Sequence, residues 1–105
     1  MYIYSMKEIS YIGATVLHAI RSELRHGFQI MEATGLASGT VYPALRRLEL
    51  AGLIRSKWER ETVARSEQRP ARRYYQLTRE GEAALAAAEE RYRFPELAAG
   101  RKAGA

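Results

Sequence analysis

The chain has 105 residues, enough for one domain with one modest core. It contains no cysteine and only two histidines, His18 and His26, so disulfides, thiolate metal sites and Ser-His or Cys-His catalysis lack their residues. We expect no enzyme, no metal and no cofactor. Its 17 basic residues outnumber 12 acidic ones, and the net charge of +5 makes a polyanion the natural partner.

The longest uncharged stretch near the start, Ile9 to Ile20, has 12 residues, whereas a membrane span needs about 20. Lys7 is followed at once by Glu8, and no small-residue cleavage pattern follows the apolar stretch. We therefore expect a cytoplasmic protein without membrane contact. Ile12, Val16, Ile20 and Leu24, widened by Leu17, mark one face of a first helix. Phe28, Ile30 and Met31 give a short second helix that stops at Thr34-Gly35. A third helix starts at Thr40 as N-cap, which places Pro43 in its first turn, buries Val41, Leu45 and Leu48, and stops at Gly52.

Beyond Gly52 the apolar period changes to two. Ile54, Ser56 and Trp58 alternate with charged residues, as do Arg73, Tyr75 and Leu77 later, so two strands are predicted, with the aromatics packing the hairpin onto the helices. Between them lies a polar loop, roughly Arg60 to Ala71, longer than most hairpin connections. Thr78 caps a final helix with Glu80 and Glu82 in its first turn, and Phe94-Pro95 ends it.

The predicted fold is mainly α with a small β-hairpin: three helices, a strand, a wing, a second strand and a last helix. This is a winged helix-turn-helix. Residues 1–77 form the DNA-binding domain, 78–97 a C-terminal dimerisation helix and 98–105 a flexible tail. The third helix can enter the major groove of DNA while the wing reaches neighbouring phosphates. On a helical projection Thr40, Pro43 and Arg47 point outward, with Tyr42 and Arg46 on the flanks and no acid among them. Residues 55 to 73 carry seven basic and three acidic side chains, and Arg69, Arg72 and Arg73 are the expected wing contacts. Arg72 and Arg73 should point to opposite sides of a strand, leaving one of them toward DNA.

In the last helix Leu77, Gly81, Leu85, Ala88 and Tyr92 recur at helical spacing beside several alanines. That is more apolar surface than so small a core can cover, so a homodimer through this helix is expected. Two-fold symmetry then predicts a pseudo-palindromic operator. The alternative reading of the fold is a winged helix used for protein association without DNA.

The run Ser38-Gly39-Thr40-Val41-Tyr42-Pro43-Ala44-Leu45-Arg46-Arg47-Leu48-Glu49, followed by Ala51-Gly52-Leu53-Ile54, resembles the recognition-helix signature of the PadR-like transcriptional regulators. His26-Gly27-Phe28-Gln29-Ile30 is similar to that family's opening of helix two, and Arg69 to Thr78 is similar to its second wing strand. Two departures are plain. Phe28 stands where the family usually has Tyr, and the wing loop from Glu61 to Gln68 has no glycine. The resemblance implies a bacterial repressor of the small subgroup that lacks an added coiled-coil domain. It implies DNA contacts from Ser38 and Gly39 as well, and a homodimer in which the partner's first helix, near Ile9, Ile12 and Val16, closes on Gly81, Leu85, Ala88 and Tyr92. It also implies release by a small aromatic or hydrophobic effector touching Tyr92.

Overall fold

The computed structural model describes residues 9–94. Among them the elements run α1 (Tyr11–Arg21), α2 (Gly27–Thr34), α3 (Ser38–Leu50), β1 (Ile54–Trp58), α4 (Glu61–Ser66), β2 (Arg73–Leu77) and α5 (Arg79–Glu89). The mainly helical architecture with one antiparallel hairpin is the one predicted. Helix α4, inside the wing, is an addition.

Helix α1 starts where the Ser10 hydroxyl accepts the Gly13 N–H at 2.9 Å. Leu24 is fully buried but lies past the helix. The chain turns at Glu23, whose φ is +74°, and the Leu24 N–H returns to the Ala19 carbonyl, so a turn and not a fourth helical turn delivers this side chain. Helix α2 ends as predicted at Gly35, whose φ of +77° suits glycine.

Helix α3 begins earlier than predicted. Its cap is Ala37, whose carbonyl accepts the N–H groups of Thr40 and Val41 at 2.9 Å, so Thr40 is inside the helix and not its N-cap. Pro43 consequently sits in the helix interior, where it removes the bond to the Gly39 carbonyl. Gly39 is exposed, so solvent serves that carbonyl and the helix continues.

The core gathers Leu17 and Ile20 from α1, Ile30 from α2, Val41, Leu45 and Leu48 from α3, Ile54 and Tyr75 from the hairpin and Leu85 from α5. The hairpin register pairs Ile54 with Leu77, Ser56 with Tyr75 and Trp58 with Arg73; Ile54, Tyr75 and Leu77 are buried, whereas Trp58 and Arg73 stay exposed. The Tyr75 N–H also bonds the Arg25 carbonyl at 2.8 Å, tying β2 to the turn before α2. Thr78 caps α5 as predicted, accepting from the Gly81 N–H at 3.0 Å and donating to the Gly52 carbonyl at 2.7 Å. Gly81 is required here because a Cβ would collide with the Leu53 carbonyl.

The apolar stripe of α5 is not left over for a partner. Val16, Leu85 and Ala88 have no exposed surface, Ile9 has 2%, and Gly81 is buried. These five expected interface residues are buried within one protomer, where α1 packs on α5 and Gly81 lies against the Leu53 carbonyl. Two of the expected interface residues keep surface, the half-buried Ile12 and Tyr92. Helix α5 also stops at Glu89, short of Phe94. The chain then turns and lays Tyr92 edge-on against Tyr11, with ring centroids 5.1 Å apart, and Phe94 against His18 at 5.1 Å. The tail expected at 98–105, and residues 95–97 of the expected last helix, lie outside the described residues.

Candidate nucleic-acid interface

Burial of Val41, Ala44, Leu45 and Leu48 fixes the rotation of α3, and the opposite face is what remains outside. Ser38, Gly39, Tyr42, Pro43, Arg46 and Arg47 are exposed there and line one shallow surface, while Thr40 is half-buried at its edge. The Arg46 and Arg47 guanidinium groups take part in no ion pair among the described residues. The acid nearest in sequence, Glu49, lines a neighbouring groove with Arg46 but is engaged by other partners. It accepts from the Ser56 hydroxyl at 2.7 Å and pairs with Arg73 at 3.4 Å. This leaves a hydroxyl-and-arginine surface suited to base edges and phosphates.

The wing is a folded unit. Glu59 follows β1, and its carboxylate accepts both terminal nitrogens of Arg69, at 2.7 and 2.9 Å, and the Arg72 backbone N–H at 3.1 Å. The Tyr74 hydroxyl adds a 3.4 Å contact. The hydrogen bonds from Arg69 above all, with those from Arg72 and Tyr74, hold the Glu59 carboxyl down at about 2. Arg69 also pairs with Glu67 at 3.0 Å, so the guanidinium expected to reach DNA is committed to closing the wing. Helix α4 fills the space between, with Ala64 buried beneath it.

Arg73 stacks over the Trp58 ring at 5.5 Å and donates to the Ser56 hydroxyl at 2.8 Å. Trp58, expected to pack the hairpin onto the helices, is instead 61% exposed, and only Tyr75 of the hairpin aromatics is fully taken into the core. Arg72 forms no ion pair among the described residues. Both Arg72 and Arg73 line the same groove, because Arg72 precedes β2 and strand alternation does not yet govern it.

That groove, about 390 Å³, runs between the start of α2, the side of α3 and the base of the wing. The Tyr42 ring lies on the Gly27 backbone, where any Cβ would collide with it, so the glycine of the His26-Gly27 pair admits the tyrosine. His26 is 6% exposed and meets Tyr74 edge-on at 5.5 Å. Burial first, then the Arg72 and Arg69 charges, lowers its imidazole below 6.5. Sequence reading missed Glu59 and α4, although a loop without glycine whose Glu61 and Arg65 stand four apart carries a helical signal.

A three-helix base with an exposed cationic third helix and an antiparallel wing beside it is a winged helix-turn-helix, an architecture suited to DNA binding. The sequence model of the Transcriptional regulator PadR-like family matches residues 16–87. The chain belongs to that family. No curated protein sequence matches the chain. Among solved structures, a PadR family transcription regulator from Clostridium difficile is 28% identical, with a TM-score of 0.69 over 80% of this chain and 88% of that one. A PadR-like transcription factor from Bacteroides fragilis is 27% identical, with a TM-score of 0.65 over 76% and 78%. A transcriptional regulator from Clostridium thermocellum is 26% identical, with a TM-score of 0.61 over 85% and 87%. No helix among the described residues is long and apolar enough to cross a membrane.

Proposed function

We propose that the protein is a cytoplasmic repressor that binds a pseudo-palindromic operator as a homodimer, with α3 of each protomer in successive major grooves. Ser38, Gly39, Thr40, Arg46 and Arg47 face the bases and their phosphates, Tyr42 and Arg72 flank them, and Arg69 and Arg73 hold the wing in shape. The observation that carries this reading is the exposed face of α3, which offers two arginines without an ion-pair partner among the described residues, and no acid. The dimer uses the surface around Ile12 and Tyr92, since the rest of the α1–α5 seam is closed. Release by a small aromatic or hydrophobic ligand acts at the same place, where Tyr11, Tyr92 and Phe94 group their rings.

Selection from a random duplex library tests the reading. The expected product is a pseudo-palindrome whose half-sites lie about one helical turn apart, bound by a particle of twice 11.9 kDa in light scattering. A library that shows no enrichment would sink sequence-specific binding. A monomeric mass with an asymmetric site would sink the dimer.

A further inference from the structure

The groove at the start of α2 contains groups that no described residue satisfies. Helix α2 has no side-chain cap, and the N–H groups of Gly27 and Phe28 meet no acceptor among the described residues. The His26 side chain at that N-terminus is more than nine-tenths buried, lines the groove and makes no hydrogen bond among the described residues. The Tyr42 hydroxyl stands beside Gly27. An anion with several acceptor oxygens would satisfy these donors together, because a helix start presents both N–H groups and a positive dipole end.

The charges around the groove point the same way. Arg69 is matched by Glu59 and Glu67, and Arg73 by Glu49. Arg72 alone of the three lacks a carboxylate among the described residues, and Tyr74, Tyr75 and Tyr42 contribute neutral faces. One guanidinium and one imidazole therefore remain to meet a phosphate. In the free protein burial, with the Arg72 and Arg69 charges, disfavours the imidazolium form of His26. A phosphate oxygen placed against the ring would reverse that preference, since an adjacent negative charge favours the imidazolium.

We propose that the α2 N-terminus, His26, Tyr42 and Arg72 form a phosphate site for the DNA backbone, and that His26 takes up a proton when the phosphate arrives. The proposal rests on the DNA-binding reading above and adds to it a pH dependence of affinity. His26 has its higher pKa in the complex. The gain is therefore complete below the pKa of the free protein and disappears as pH rises through that of the complex. Between the two, affinity changes by up to about tenfold per pH unit for each protomer.

The test uses a labelled mixed-sequence duplex of about two helical turns at fixed low salt, because a backbone contact needs no operator. Binding is followed by anisotropy from about pH 7.5 to 5.5, the range in which imidazoles titrate, for the wild type and His26→Gln. The His26 ring is followed in parallel by NMR of the wild type. The expected result is a wild-type affinity that rises as pH falls more steeply than that of His26→Gln, with the His26 midpoint moved upward by the duplex. The wild-type NMR titration decides alone should the variant not fold. Binding with an unmoved His26 midpoint would overturn the proposal and leave DNA binding standing, whereas no binding at any pH would overturn both. In a separate titration with inorganic phosphate, a His26 response that the duplex does not reproduce would assign the pocket to a free anion and overturn the backbone contact.

Discussion

Helix α3 and the wing carry the same cation and use it differently. Arg46 and Arg47 stand on a helix whose burial is complete on the other side, and no carboxylate comes within pairing distance of them among the described residues. In the wing, Arg69 is bracketed by Glu59 and Glu67 and keeps only 18% of its side chain exposed, and Arg73 is shared between Glu49, Ser56 and Trp58. Net charge along the sequence overstates the wing as a DNA-binding surface, because part of it is neutralised internally to hold an irregular segment together. The core needs no such help. Apolar burial positions α3, so its arginines are left for a partner.

This contrast can be broken at its strongest point first. Leu45 is 1% exposed on the inner face of α3, and Leu45→Ala removes the packing that orients the helix. A destabilisation of about 2–5 kcal/mol is expected, since truncating a buried leucine forfeits its transfer energy and leaves a cavity. In a domain of this size that corresponds to a fall in Tm of at least about 10 °C, read by thermal circular dichroism. An unchanged Tm would mean that α3 is not held by its buried face. Arg47→Ala should do the reverse. It should leave Tm alone while reducing discrimination between the selected operator and a scrambled duplex by about 1–3 kcal/mol, the range of a good base-edge contact. Equal discrimination in variant and wild type would place Arg47 outside the reading surface.

The parts legible in the sequence are those set by periodicity and local chemistry. Spacings of three and four placed α1, α3 and α5, a short apolar set before a glycine placed α2, alternation placed both strands, and Gly35 and Thr78 marked a stop and a start because each acts within one turn of itself. The outward face of α3 followed from the same projection. What escaped depends on groups distant in the chain. Glu59 and Arg69 are ten residues apart and pair only once the hairpin has formed. The burial of Leu85 and Ala88 depends on α1 lying over α5, a contact across most of the chain. Counting apolar residues on one helix could not show which of them the protomer covers itself.

The wing offers a sharper form of the comparison. Arg72 should contact a phosphate, whereas Arg69 is already neutralised. Arg72→Ala is therefore expected to flatten the plot of log K against log salt by about 0.9 for each phosphate that Arg72 no longer neutralises, and so by about twice that in a dimer. Arg69→Ala should change this slope little, because its charge in the wild type is balanced by Glu59 and Glu67. Instead it should loosen α4, seen as faster amide exchange in residues 61–66. A salt slope that falls as much for Arg69 as for Arg72 would show that the clamp opens on DNA and that the two arginines act alike.

The smallest expected effect is local and set by pH. Glu59 ordinarily would titrate near 4.5, and its partners hold it at about 2. Because the folded carboxyl is the stronger acid, the clamp is at full strength above pH 4.5 and weakens as pH falls from there toward 2. Protonation removes the charge that Arg69 answers, while the apolar seam under α3 contains nothing that titrates in this range. Carbon-detected NMR of the glutamate carboxyls should place the Glu59 midpoint far below the ordinary 4.5. The α4 amide signals should shift with it, and those of Val41 and Leu45 should not. In Glu59→Gln the part of the α4 shift that follows the Glu59 carboxyl should be absent. A Glu59 midpoint near the ordinary 4.5 would mean that the carboxylate is solvated, that the wing is closed by something other than Arg69, and that this arginine is as available to DNA as those of α3.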